Sequence, residues 1–322
     1  MSKYRQFDIE KLTTEPVNDR DSKLTVTDLL QPPKSRYARK TDDADMTALV
    51  SAMVLARRKS LPIIWFIGGH VIKRGLSLYL IEMMRRGWIT LLAGNGSVMV
   101  HDFELAYHGA TSEPVTKYLP DGKFGMWSSM MVLNTHIARA QHELQGLGEG
   151  VGSVIINTTY PYQKKSVLAT AYAIDVPVTI HPMIGGDINH MLLKPGGAAA
   201  LGSTAHRDFL IFAAQVSRLQ QHGGVFINAG SAVHGPEVFL KALSMARNLD
   251  TKRKAITTAV FDIANKVENW AENDSNAAYY SRPHKTILNR AVEGPPKGSS
   301  LYIQGDHQDT IPDLWNLLNY HT

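Results

Sequence analysis

Short apolar runs that stop at glycine turns, each followed by a helix with one apolar face, constrain this chain more than any other feature. Ile63-Ile64-Trp65-Phe66-Ile67 has no polar side and stops at Gly68-Gly69, as an internal strand of a parallel sheet does, since both its faces are covered. A helix follows with Leu76, Leu80, Met83 and Met84 on one side and ends at Gly87. A second buried run, Trp88 to Ala93, stops at Gly94-Asn95-Gly96-Ser97. The unit recurs in Val154-Ile155-Ile156-Asn157, followed by a helix through Val167, Leu168, Ala171 and Tyr172, and in Val176 to His181, leading to Gly185-Gly186-Asp187. Three more strands are expected in Gly224 to Asn228, Ala255 to Phe261 and Leu301 to Gln304, the last running into Gly305-Asp306-His307. This alternation predicts an α/β fold, a doubly wound, mainly parallel sheet with helices on both faces.

Residues 1–45 depart from the pattern. Pro16, Pro32 and Pro33 interrupt a polar stretch whose one apolar patch is Leu24, Val26, Leu29 and Leu30, too little for a core. They read as an arm, and residues 46–322 as a single α/β domain, opened by a helix through Met46, Leu49, Val50, Met53 and Val54. Residues 270–299 lack apolar periodicity and predict a long loop at the surface or the active site.

With 44% apolar residues among 322, material for a core is ample. The chain has no cysteine, which removes thiolate nucleophiles, disulfides and cysteine-bound metals and fits a cytoplasmic setting. Met1 to Lys11 carries no apolar signal segment, and Leu61 to Ile67, the longest strongly apolar run, is too short to cross a bilayer, so no membrane role is expected. A net charge of +5, with basic residues scattered as at Arg57-Arg58-Lys59, argues against nucleic-acid binding.

In such a sheet, ligands bind beyond the carboxyl ends of the strands, where turns expose backbone N–H groups. The small and polar residues collect there: Gly68-Gly69-His70, Gly94-Asn95-Gly96-Ser97 followed by His101-Asp102, Asn157-Thr158-Thr159-Tyr160, His181 with Gly185-Gly186-Asp187, Asn228-Ala229-Gly230-Ser231 with His234, Phe261-Asp262, and Gly305-Asp306-His307. Several glycine turns on one rim point to a phosphate-bearing ligand. The common G-x-G-x-x-G dinucleotide fingerprint is broken, because Met99 stands where its third glycine belongs. His70, His101, His181, His190, His234 and His307, with Asp102, Asp187 and Asp306, supply metal-ligand chemistry in principle, but no H-x-x-x-H or H-E-x-x-H spacing joins two of them on a helix. No metal is assigned. No G-x-S-x-G elbow is present either. Lys164 and Lys165 follow Tyr160-Pro161-Tyr162 at a helix start read as lying on the rim, and Lys73 lies one turn into another helix. Each is a solvated helix-end lysine, a phosphate contact or an amine nucleophile. Trp127, Trp270, Tyr279 and Tyr280 are candidates to stack on a ring, or simply packing residues.

The run of turns resembles the deoxyhypusine synthase family from about residue 24 onward. A strand ending before an I-x-x-G helix matches Phe66-Ile67-Gly68-Gly69-His70-Val71-Ile72-Lys73-Arg74-Gly75, and a T-T-A-G-G turn before an acidic helix matches Leu92 to Ser97 with His101-Asp102. An I-P-V strand entering a Gly/Asp-rich substrate loop matches Val176-Pro177-Val178 through Asp187. A Gly-rich turn before a Lys-His pair matches Asn228 to His234, and the final strand, A-D and helix match Gly305-Asp306-His307. The resemblance implies a homotetramer, an arm that packs on a neighbour, and NAD held by Gly68, Gly69, His70, Gly94, Asn95, Gly96 and Asp306, the last on a ribose hydroxyl. Val233 falls where the family carries its imine-forming lysine, and valine forms no imine. The implied chemistry is then NAD-dependent hydride transfer on a small amine or amino acid, with His234, His181 or Asp187 moving the proton and Lys164 as a replacement nucleophile. The alternatives are a metal-dependent hydrolase built from the rim's His and Asp residues, and a non-catalytic NAD-binding homologue.

Overall fold

The computed structural model describes residues 3–33, 41–194, 196–249, 253–267, 272, 273 and 275–321. Six strands form one parallel sheet: β1 Ile63–Ile67, β2 Leu91–Asn95, β3 Val178–His181, β4 Gly224–Ala229, β5 Ile256–Asp262 and β6 Ser299–Gln304. Their order across the sheet is β3-β2-β1-β4-β5-β6, the doubly wound order in which the chain reverses its winding between β1 and β4. The main helices are α1 Ala44–Arg58, α2 Gly69–Lys73, α3 Ser77–Arg85, α4 Gly96–His108, α5 Ser128–His142, α6 Leu147–Asn157, α7 Val167–Ala173, α8 Gly197–His222, α9 His234–Leu249 and α10 His307–Asn319.

Side chains alternate along the strands, so each face has its own core. Ile63, Trp65 and Ile67 of β1 face a layer made by α1 to α7 and α10. Ile64 and Phe66 face α8, α9 and a buried π-helical turn, Pro283–Arg290. That turn replaces part of the loop expected over residues 270–299, and Thr258 Oγ1 on β5 donates to its Ile287 carbonyl at 2.7 Å. Trp270 lies outside the described residues. Among those described, no helix is long and apolar enough to cross a membrane.

Val154–Asn157 is not a strand but the end of α6. This helix is buried on almost every side, so its apolar run shows no stripe to distinguish it from a strand. The expected strand at Trp88–Ala93 begins three residues later, at Leu91, with Trp88 and Ile89 buried in the turn before it. Residues 12–30, part of the expected arm, lie along their own chain. Leu24–Thr25 pairs antiparallel with Ala110–Thr111, the Ser128 amide donates to the Glu15 carbonyl at 2.9 Å, and Leu24 and Leu29 join the main core.

Candidate functional site

The reversal between β1 and β4 brings two turns into contact. The Gly68 amide donates to the Ala229 carbonyl at 2.9 Å, and a Cβ on Gly68 would sit 2.0 Å from the Gly230 carbonyl oxygen. Only glycine permits that approach. Beside it opens a cavity of about 300 Å³, bounded by His70, Asn228, Ser231, Asp262, Asp306 and His307 at the ends of β1, β4, β5 and β6. Asn228 Oδ1 and His307 Nδ1 are buried and have no hydrogen-bond partner among the described residues, the kind of group a ligand or water completes. Burial, and the charge of His70, hold His307 below the ordinary histidine range, and burial with Lys73 and Arg74 does the same to His70. Asp306 caps α10 by accepting from the Gln308 amide at 2.9 Å, and its second oxygen accepts from Arg74 at 2.7 Å. The Gln308 bond and Arg74 hold its carboxyl below the usual value against modest burial.

On the other side of α2 lies a second cavity of about 180 Å³, with Arg20, Lys73, His101, Glu104, Glu113 and Asp187 in its wall. Arg20 grips Glu104 through two bonds of 2.6 and 3.0 Å, each side chain 1% exposed. Thr111 and Ser129 hydroxyls complete the Glu104 carboxylate at 2.6 and 3.1 Å. Burial alone would raise Glu104, but the Arg20 charge and these bonds hold it below its ordinary value. Glu113 accepts from the Trp127 indole at 2.6 Å and the Gly125 amide at 3.1 Å, yet burial raises it. Trp127 is therefore a buried packing residue and not a rim platform.

Asp187 connects this cavity to the histidines. Its carboxylate accepts from the Met183 amide at 2.8 Å and rests on the first turn of α4, so close that a Cβ on Gly96 would sit 2.2 Å from Oδ2. Burial raises its pKa, and the charges of His190 and His234 oppose the rise. His181, at the end of β3, stacks on Phe66 with centroids 5.5 Å apart, and His234, the first residue of α9, lies 6.4 Å from the same ring. The His234 ring sits beside the His181 backbone and in the field of Asp187, while burial keeps it below the ordinary histidine value.

The structure therefore gathers His234, His181 and Asp187, and sets Gly68, Gly69, His70, Gly94, Asn95, Gly96 and Asp306 on one rim. Lys164 is not among them. It is exposed in the short turn Gln163–Lys165, whose neighbour Tyr162 donates to the Ala106 carbonyl near the far end of α4, about 15 Å down the helix from Gly96. Its placement on the rim depended on the strand at Val154–Asn157, which is helix. Asp102 likewise faces away, capping α7 through the Ser166 hydroxyl and the Val167 and Leu168 amides at 2.5, 2.7 and 3.1 Å. Among the described residues, no group of three or more His, Asp or Glu side chains is placed to hold a metal ion. Arg20, Arg74, Glu104 and Glu113 were not singled out from the sequence. Arg20 and Glu104 meet across 84 positions and Arg74 and Asp306 across 232, so no local pattern announces them.

His181 makes the site sensitive to acid. Burial, with the His234 charge, lowers it to about 3, while the unfolded chain titrates near 6.5. The unfolded state thus binds the extra proton between those values, and the stabilisation present above about 6.5 is lost as pH falls, by about 1.4 kcal/mol per unit. A His181→Gln variant should lose stability between pH 6 and 4 with a slope shallower by that amount, measured by urea denaturation at each pH. Equal slopes would rule out a buried neutral His181.

No protein-family profile matches the sequence, and no curated protein matches it. Solved structures do. A candidate deoxyhypusine synthase from Entamoeba histolytica aligns over 86% of this chain and 88% of its own, with a TM-score of 0.50 and 8% identity. The two share a fold. The arginine dihydrolase ArgZ of cyanobacteria aligns over 86% of this chain at a TM-score of 0.49 and 16% identity. AgrE, solved with ornithine and NAD+, aligns over 89% at 0.49 and 14% identity. This chain spans about a third of those two proteins, 33% and 35% of their lengths.

Proposed function

We propose that this chain is an NAD-dependent enzyme acting on a small amine or amino acid, with part of the dinucleotide in the cavity at the β1–β4 reversal and the rest along the rim. One observation carries the reading: the sheet has the doubly wound strand order, and the cavity opens at its switch point, where ligands of such sheets bind. The residues fit a polar ligand there. His307 and Asn228 bring buried polar atoms without partners among the described residues, and the Gly68–Gly230 contact keeps side chains out of the turn. Asp306 offers a carboxylate on the rim, and an acidic residue suits a ribose diol and disfavours a 2′-phosphate. Its neighbour Arg74 neutralises part of that charge.

When bound, NAD+ supplies a hydride acceptor. The chain's own residues then handle the proton and the substrate. His234, kept neutral by burial and placed against Asp187, is suited to accept a proton from the substrate amine, and Asp187 stabilises the imidazolium that results. His181 is too deeply held to titrate near neutrality and serves to fix the Phe66 and His234 rings. Val233, 59% exposed where the resembled family carries its lysine, offers no amine, so covalent transfer through that position is absent from this mechanism.

The test is calorimetric titration of the full chain with NAD+ and with NADP+. NAD+ should bind saturably and more tightly than NADP+. Asp306→Asn should weaken NAD+ at least tenfold, since asparagine caps a helix as well as aspartate does and removes the charge together with its ion pair to Arg74. No saturable NAD+ binding, or an unchanged affinity in the variant, would reject this assignment.

A further inference from the structure

The second cavity carries an unbalanced set of charges. Arg20 and Glu104 neutralise one another within 2.6 Å. What remains is one cation, Lys73, for which no ion-pair or hydrogen-bond partner exists among the described residues, and two carboxyls, Glu113 and Asp187. The hydrogen-bond donors to the carboxyls are neutral, and the charges that reach them, Arg20 on Glu113 and His190 and His234 on Asp187, do not offset their burial. Glu113 faces an indole N–H and a backbone amide, and Asp187 faces the Met183 amide. Burial lowers the Lys73 pKa and raises those of both acids, so each group is held with its charge undercompensated. Groups of this kind gain most from an opposite charge brought into the same low-dielectric space.

Size and position narrow what brings it. A cavity of about 180 Å³ has the volume of about six waters, room for an amino acid and not for a nucleotide. Apolar wall atoms come from Val100, Val115, Phe124 and Ile188, which suit a short methylene chain. Asp187 also lies beside His234, so whatever occupies this cavity stands next to the proposed proton acceptor. Lys73 and His70, on one five-residue helix, face the two cavities separately.

We propose that this second cavity binds a small diamino acid, its carboxylate on Lys73 and its two ammonium groups on Glu113 and Asp187. This deepens the functional reading, on which it rests for the substrate's fate, by assigning Lys73 and Glu113 as the residues that choose the substrate. A plain diamine leaves Lys73 facing a cation or nothing, and a monoamino acid leaves one carboxyl uncompensated, so the site discriminates against both.

The test needs no cofactor, and its failure therefore leaves NAD+ binding standing. L-2,4-diaminobutyrate, L-ornithine and L-lysine are titrated calorimetrically into the full chain, against cadaverine, which lacks the carboxylate of lysine, and L-norleucine, which lacks its side-chain amine. One of the three diamino acids should bind at least tenfold more tightly than either control. Lys73→Gln, which breaks no internal bond, should remove that advantage over cadaverine without changing cadaverine binding. Glu113→Gln keeps an acceptor for Trp127 and should remove the advantage over norleucine. Binding of none of the three, or selectivity unchanged in the Lys73→Gln protein, would overturn the proposal.

Discussion

Replacing Arg20 with methionine is expected to cost the fold about 3–5 kcal/mol, the range for stranding one member of a buried ion pair. Arg20 and Glu104 are each 1% exposed and joined by two bonds. Without the guanidinium, Glu104 keeps two hydroxyl donors, Thr111 and Ser129, but no positive charge within the wall except at Lys73. Its carboxyl must then take up a proton or draw in water, and either cost falls on the folded state alone. The loss also reaches residues 12–30, a strap that Arg20 anchors to α4, its guanidinium lying 5.8 Å from the Trp127 ring. The double variant Arg20→Met with Glu104→Met separates the two contributions. Removing both charges should restore most of the stability, because the penalty lies in the unpaired carboxylate more than in the lost attraction. Urea denaturation of wild type, single and double variants reads this directly. A single variant within 1 kcal/mol of wild type would mean that the pair is not buried as the structure has it.

The strap also shows where the sequence was legible and where it was not. Strands β1, β4, β5 and β6 appear near their expected places because each is a run with both faces apolar, bounded by glycine or a polar turn. That signal is local. The run Val154–Asn157 carries the same local signal but belongs to α6, where Gly148 approaches the Val178 carbonyl so closely that a Cβ would lie 2.4 Å from its oxygen. Burial on all sides produces the same letters in a helix as in a strand, and the error carried Lys164 onto a rim it does not touch. Gly68, Gly94, Gly96, His181, His234 and Asp306 stand at or just beyond strand ends, because each follows a run whose strand the local signal marks. The second cavity was invisible for the opposite reason. Its Arg20 sits in a polar, proline-broken stretch that reads as an arm, and only the tertiary fold shows that Val17, Leu24 and Leu29 are buried there.

Gly68→Ala should abolish NAD+ binding, with an affinity loss of at least a hundredfold, whereas Gly96→Ala should leave it within a few-fold of wild type. The two glycines differ in what a methyl group meets. At Gly68 the new Cβ lies 2.0 Å from a backbone oxygen, the Gly230 carbonyl, and no rotamer change relieves the clash. The β1 and β4 turns must separate by about 1 Å to bring that contact to the shortest distance real Cβ atoms show. This strains the 2.9 Å bond from the Gly68 amide to the Ala229 carbonyl and reshapes the cavity at its closed end. At Gly96 the obstacle is the Asp187 carboxylate, the end of a side chain on a loop that can swing out. Alanine there costs little in backbone strain, because the position is the first residue of α4 and lies outside the left-handed region. It does move Asp187 away from His234, so turnover should fall in Gly96→Ala while cofactor affinity stays. Titration with NAD+ and a denaturation midpoint for each variant separate these effects. If Gly68→Ala bound NAD+ as well as wild type, the dinucleotide would not lie at the β1–β4 reversal, since no ligand seated there can ignore a shift of its floor.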